Sequence, residues 1–298
     1  MTQTNDNTQD VFTKGCLVIL NISQYSGRMT IPKVLMKEKM NTDKVGGHKK
    51  VLPKKALKDI QSFSSSTRTW LKDVSLPFPV NAAVFVPFEM VEYIDNVLKR
   101  NQIEFDRMVD VLSENYQDYI EQVRPELEQA DLFNGNDYPT NIKSKFSFSW
   151  RFVTLNTPGE SSVLSPEFIK KEQAKFQDTL NDAKDTALQA IRQQFYDIVT
   201  HAVEKLTVKD GEKKKVFKSS TIDKFSEFFK TFSKRNCFGD DELKSVVDNA
   251  REIMDGVSAK DLRNDDEYRE AIADCLTEVK DEMNDGIINA GRKLNLTD

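Results

Sequence analysis

Residues 88–127 read FEMVEYIDNVLKRNQIEFDRMVDVLSENYQDYIEQVRPEL, and this stretch decides the fold class. Apolar side chains recur at Val91, Ile94, Leu98, Phe105, Met108, Val109, Leu112, Tyr116, Tyr119, Ile120, Val123 and Leu127. Steps of three and four keep one helical face apolar while Glu, Asp, Lys, Arg and Gln fill the rest. About forty residues rising 1.5 Å each make a rod of roughly 60 Å. A helix of that length needs a long partner, and Pro166 to Leu206 offers one. Its apolar positions include Phe168, Ile169, Phe176, Leu180, Ala187, Ile191, Phe195, Val199 and Leu206. The pattern predicts a mainly α protein: a long antiparallel helical hairpin, coiled-coil-like, with Pro125 kinking or loosening the last turns of its first arm.

Outward from the hairpin, three short segments carry strand signals. Residues 16–22 (Cys-Leu-Val-Ile-Leu-Asn-Ile) and 82–86 are brief apolar, β-prone runs. Residues 145–155 alternate, with Phe146, Phe148, Trp150 and Phe152 on one side. Together they predict a small β element at the base of the hairpin, and the spacing of those aromatics reads first as core. The Thr-, Asn-, Gln- and Asp-rich residues 1–13 have little to bury and predict a disordered lead-in. Domain 14–208 then holds the hairpin, the small sheet and a basic loop, and 219–298 forms an acidic helical C-terminal region. Ser165-Pro166-Glu167 places an N-cap, a first-turn proline and an acid in order. Ser220 with Asp223, Ser258 with Asp261 and Asn264 with Glu267 have capping-box spacing. Helices are therefore expected over 220–236, 240–256 and 265–295, with Phe225, Phe228, Phe229 and Phe232 forming a core or partner-binding ridge.

The composition suits long solvated helices: 31% charged, 38% apolar and a formal net charge of −5 over 298 residues. That charge is segregated. Between Arg28 and Lys58 ten basic residues face two acids, a local +8, with Gly46-Gly47 read as a mobile loop in the middle and Pro53 as a helix start. From Asp240 to Asp298 seventeen acids face eight basic residues, a net −9. The three cysteines, Cys16, Cys237 and Cys275, are scattered and odd in number, as in a reduced cytoplasm. No apolar run reaches the roughly 18 residues of a membrane span, so a cytoplasmic, soluble protein is expected.

Chemistry-bearing motifs are scarce. Gly46-Gly47-His48-Lys49-Lys50 lacks the G-x-x-x-x-G-K-[ST] order that cradles phosphates in nucleotide-binding loops. The two histidines, His48 and His201, lie about 150 residues apart, and no zinc-ligand set is read from them. No nucleophile–base pair stands out by spacing. The expectation is a protein that is not an enzyme and needs no metal or cofactor. The basic segment is the local signal above background, and Arg28, Lys49, Lys50, Lys54 and Lys55 are its candidate partner- or phosphate-binding residues. Such a segment serves phosphate contact or docking on an acidic protein surface, and the acidic C-terminal region offers such a surface within a homo-oligomer.

The order of these elements resembles a known family. A strand at Leu17 to Ile22 is followed by the Ser26-Gly27-Arg28 turn, a basic stretch and a helix ending near Trp70-Leu71. Leu76-Pro77-Phe78, a second strand, a Val86-Pro87 helix start and the long helix complete it. This is similar to an uncharacterised family of helical proteins from bacteria and phages. Its members tend to be encoded beside a MoxR/CobS-like AAA+ ATPase and a von Willebrand A-type or CobT-like protein. The resemblance covers about residues 14–206. It implies a protein partner, the ATPase or the von Willebrand A-type protein, and the role of a scaffold or adaptor on a phage or mobile element. The alternative is a nucleic-acid-binding accessory protein that uses residues 28–58.

Overall fold

Period and punctuation in the sequence settle into a mainly helical chain with one small sheet and one two-stranded ladder. The computed structural model describes residues 11–40, 44–80, 82–157, 159, 165–208 and 214–284. Its strands are β1 (Gly15–Ser23), β2 (Arg28–Thr30), β3 (His48–Lys50), β4 (Leu76–Pro77), β5 (Ala83–Pro87) and β6 (Ser147–Thr154). Its helices are α1 (Lys33–Met40), α2 (Lys54–Val74), α3 (Phe88–Glu114), α4 (Tyr116–Gln129), α5 (Pro166–Leu206), α6 (Ser219–Arg235), α7 (Asp241–Met254), the single turn α8 (Asp261–Asn264) and α9 (Asp266–Glu282). The sheet has the order β4-β5-β1-β6, and β2 pairs with β3. The chain divides into two compact units interleaved in sequence. The first unit comprises Met1–Val18, Lys72–Val91 and Phe152–Asp298; the second comprises Ile19–Leu71 and Glu92–Arg151.

The stretch that begins at Phe88, in the second unit from Glu92 on, is two helices in succession. Ile94, Leu98, Phe105, Val109 and Leu112 are buried along α3, as the three- and four-residue steps require. Regular helix stops at Asn115, whose φ of −96° and ψ of 8° leave the helical region, while its side-chain amide donates to the Val111 carbonyl at 2.8 Å. Pro125 lies inside α4, which runs on to Gln129. The proline removes one backbone donor, and the interruption falls ten residues earlier, where no proline or glycine marks it. Phe148 of β6 is buried and tilts against Phe105 at 5.6 Å, and the Trp150 indole donates to Asp95 at 2.9 Å. Those two aromatics pack in the core or donate to a neighbour; Phe152 is exposed.

In the first unit α5 spans 41 residues, about 62 Å at 1.5 Å per residue. Its start is capped as the sequence predicts, Ser165 Oγ accepting from the Phe168 amide at 3.2 Å. Burial begins only at Leu180 and continues through Ala183, Ala187, Ile191, Phe195, Val199, Ala202 and Leu206. That face is covered by α9, α6 and β4, three partners rather than one long helix. Arg269 of α9, buried at 3% exposure, closes the far end of α5. Its guanidinium donates to the carbonyls of Leu206 (2.8 Å), Lys215 (3.1 Å), Leu262 and Lys205. These are carbonyls that helix ends and turns otherwise leave unpaired.

The three longer C-terminal helices each start one residue from the expected position, α7 and α9 behind a polar cap. Asp240 caps α7 through the Leu243 amide at 3.1 Å, and Asp265 caps α9 through the Tyr268 amide at 2.9 Å. Ser258 and Asp261 pair without closing a capping box: Ser258 Oγ accepts from the Asp261 amide at 3.2 Å and donates to its carboxylate at 2.6 Å, beside the single turn α8. Ser220 lies inside α6 and caps nothing. Phe225, Phe228 and Phe232 are buried, Phe228 stacking on Phe195 at 4.9 Å and on Phe232 at 5.5 Å. That ridge is core. Of the expected disordered lead-in 1–13, residues 1–10 lie outside the described residues, as do the last turns of the 265–295 helix, whereas Phe12 is buried at 2% exposure because its ring packs on Phe78 and Phe85.

Candidate functional site

The basic segment folds into β2, α1, β3 and the start of α2, all in the second unit. In the β2–β3 ladder Arg28 faces Lys50, Met29 faces Lys49 and Thr30 faces His48. Opposed residues share a face and successive ones alternate, so Arg28 and Lys50 emerge together while Lys49 turns the other way. Exposure follows: Arg28 and Lys50 are exposed, and Lys49 is 7% exposed. The Lys49 ammonium pairs with Asp137 and donates to the Leu132 carbonyl at 2.6 Å. Of the five candidate residues, Lys49 is therefore part of the core. Gly47 is also fixed, its carbonyl accepting from the Ile31 amide at 2.9 Å, so the Gly46-Gly47 corner extends the ladder instead of hanging as a free loop.

Around Asp137 the Tyr25 hydroxyl donates to the Asp137 carbonyl at 3.1 Å. Burial, with help from neighbouring phenols and Asp137, holds the Tyr25 phenol well above its ordinary range. Burial likewise pushes Tyr116 up to about 12 and raises Tyr138. These phenols keep their protons at any physiological pH.

On the outward face the structure brings three of the sequence candidates together. Arg28, Lys50 and Lys54, from β2, β3 and α2, line one hollow of about 210 Å³ with Ser26 and Gln61. Leu52 and Leu57 form its apolar floor and are buried beneath it. None of the described residues lining it is acidic. Its shape depends on Gly27, at φ +63°, where a Cβ would lie 2.7 Å from Leu57 Cδ1. The turn is tied by Val51 N donating to the Gly27 carbonyl at 2.9 Å and Arg28 N donating to Ser26 Oγ at 3.2 Å. Lys55 is exposed on the first turn of α2 and does not line the hollow.

Local electrostatics do not favour this gathering. Like charges directly opposite on a ladder, as Arg28 and Lys50 are, destabilise it by about 0.2–1 kcal/mol. The first turn of α2 carries Lys54 and Lys55 and no acid, the wrong sign for the positive end of a helix dipole, at roughly 0.3–1 kcal/mol per charge. Positions that break a local rule in this way are expected at functional or strained sites.

The first unit holds a second polar cleft, of about 400 Å³, that no motif announced. Asp73, Asp197, His201, Lys224 and Glu227 line it. Beside it Arg235, 1% exposed, donates to the Asp73 carbonyl at 2.7 Å and to Gln194 Oε1 at 2.6 Å. Gln194 Nε2 donates to the same carbonyl at 3.0 Å. Burial pulls the Arg235 guanidinium down to about 10 and raises the Asp73 carboxyl, Arg235 and Lys224 opposing the latter shift. Asp197 precedes His201 by one turn on α5, a spacing the sequence held in plain view. Among the described residues no group of three or more His, Cys, Asp or Glu side chains is placed to hold a metal ion. The arrangement ties α6 and α5 to the Asp73 carbonyl.

Comparison with protein families matches residues 13–219 to a family described as a protein of unknown function, DUF3150. No curated protein and no solved structure matches the chain. No helix among the described residues is long and apolar enough to cross a membrane.

Proposed function

The chain belongs to the DUF3150 family, and from that premise we propose a non-enzymatic accessory subunit, a scaffold or adaptor that binds an anionic partner and works with a MoxR-like AAA+ ATPase in a phage or mobile-element system. The observation that carries this is the convergence of Arg28, Lys50 and Lys54 on one hollow without an acid among its described lining. Such a face steers an anionic partner and sets its approach more than its final affinity. The ATPase, or the von Willebrand A-type protein beside it, is the partner implied by the resemblance of residues 14–206. The subunit acts in the host cytoplasm and uses no cofactor.

The test is an Arg28→Ala, Lys50→Ala, Lys54→Ala triple variant assayed against the ATPase over a salt series. Lys49 is left intact because it holds the fold. Association is expected to slow at least tenfold at low salt and to lose most of its salt dependence. Unchanged association would sink the proposal. A second reading, a nucleic-acid-binding accessory protein, is favoured by the concavity of the same hollow at a helix start. In that case the triple variant loses affinity for duplex and single strand alike, and the slope of log affinity against log salt shrinks by about one per phosphate contact removed.

A further inference from the structure

We propose that the hollow at the start of α2 seats a single phosphate group, gripped by Arg28, Lys50 and Lys54; this rests on the anion-binding part of the function proposed above and names the anion. The three cations come from three different elements and share one cavity. A carboxylate is satisfied by one guanidinium fork, whereas a phosphate offers more charge and more oxygens than one fork can use. Arg28 supplies the fork, and Lys50 and Lys54 supply point charges to the remaining oxygens.

The size of the hollow points the same way. About 210 Å³ holds roughly seven waters at 30 Å³ each. That admits a tetrahedral anion with part of its hydration and falls short of the roughly 300 Å³ at which pockets for whole small molecules begin. The grip is therefore on a group, with the rest of the ligand outside. Gln61 adds a neutral amide on the wall. The Ala56 amide donates to the Pro53 carbonyl at 3.0 Å, and the amides before it, which a helix leaves without an acceptor of its own, add a positive end to the same place. A bound dianion relieves the repulsion between Arg28 and Lys50 across their ladder and between the lysines that open α2. The withdrawal of Lys49 to Asp137 shows that the fold can pair a lysine of this segment when it must.

The experiment follows backbone amide resonances of the full chain during titration with inorganic phosphate, against chloride at matched ionic strength. Saturable shifts confined to residues 26–28, 50 and 54–55 are expected. An Arg28→Ala, Lys54→Ala double variant should lose at least tenfold in affinity, and Lys55→Ala should change it less than twofold. Both altered side chains of the double variant are exposed, and its amide spectrum away from the hollow reports that it is folded. A single strand bearing a 5′-phosphate, compared with the same strand ending in a 5′-hydroxyl, separates a terminal phosphate from a backbone one. Tighter binding of the first assigns the terminal group; equal binding of both, lost in the double variant, assigns the backbone. Linear unsaturated shifts, an unchanged double variant, or competition by polyglutamate as strong as by phosphate would each overturn the inference. ATPase association lost in the triple variant with no phosphate site leaves the accessory role standing alone. A phosphate site with ATPase association intact leaves only the inference.

Discussion

Lys49 and Lys50 are chain neighbours with opposite tasks, one anchoring the second unit and one facing solvent at the hollow. Lys49→Ala should therefore behave as a core lesion. It leaves Asp137 and the Leu132 carbonyl unpaired, and about 3 kcal/mol of stability should go, read from the urea midpoint. Lys50→Ala should stay within about 0.5 kcal/mol on the same measurement and weaken anion binding instead. Cys237 gives a pH signature. Burial pushes its thiol from 9.0 up to about 12, so the native state keeps a proton that the unfolded chain sheds above about 9. More protons bound in the native state means stability falls as pH rises through that window. Arg235, held down to about 10, works in the opposite sense only above that value. Between about pH 9 and 10 the decline should be shallower in Cys237→Ala than in the parent, measured as urea midpoints along a pH series.

At the scale of elements, Asp240 joins two helices: it caps α7, and Arg192 of α5 grips both its carboxylate oxygens at 2.6 and 3.0 Å. Asp240→Asn keeps an acceptor for the Leu243 amide and loses the ion pair; Asp240→Ala loses both. The alanine variant should be the less stable by about 1 kcal/mol, the worth of a cap, and equal melting of the two variants would remove the cap from the account. The start of α5 at Ser165-Pro166 and three of the sheet's four strands were legible, because caps and apolar β-prone runs are local; β4 was not. The stop at Asn115 was not, since the apolar steps run on past it and neither proline nor glycine stands there. Alternation also hides Lys49 from solvent, but its partner Asp137 lies 88 residues away and nothing local names it. The cations of the hollow were visible as composition. Which of them share a cavity depended on the Arg28–Lys50 register, which is long-range.

For the whole molecule, the family match ends at residue 219, as α6 begins, while the buried face of α5 inside that match is covered by α6 and α9. A fragment ending at residue 208 should therefore expose Ile191, Phe195 and Val199 and aggregate or bind a hydrophobic dye. A soluble monomer with the helicity expected of residues 1–208 would contradict the packing described here. Interleaving sharpens the point: the first unit is assembled from three segments and the second from two, so no single cut separates them.

The clamp on the Asp73 carbonyl adds a matter of timing during synthesis. Its two donors follow it by 121 and 162 residues. At the roughly 5–20 residues per second of translation, Arg235 reaches the exit tunnel some 8–32 s after Asp73. For that interval the first unit is unfinished on the ribosome, its half-buried strands and the apolar face of α5 without their cover. Cells that make this protein must shield a nascent chain for that long, and synonymous codons that slow the stretch between residues 206 and 235 should lower its soluble yield.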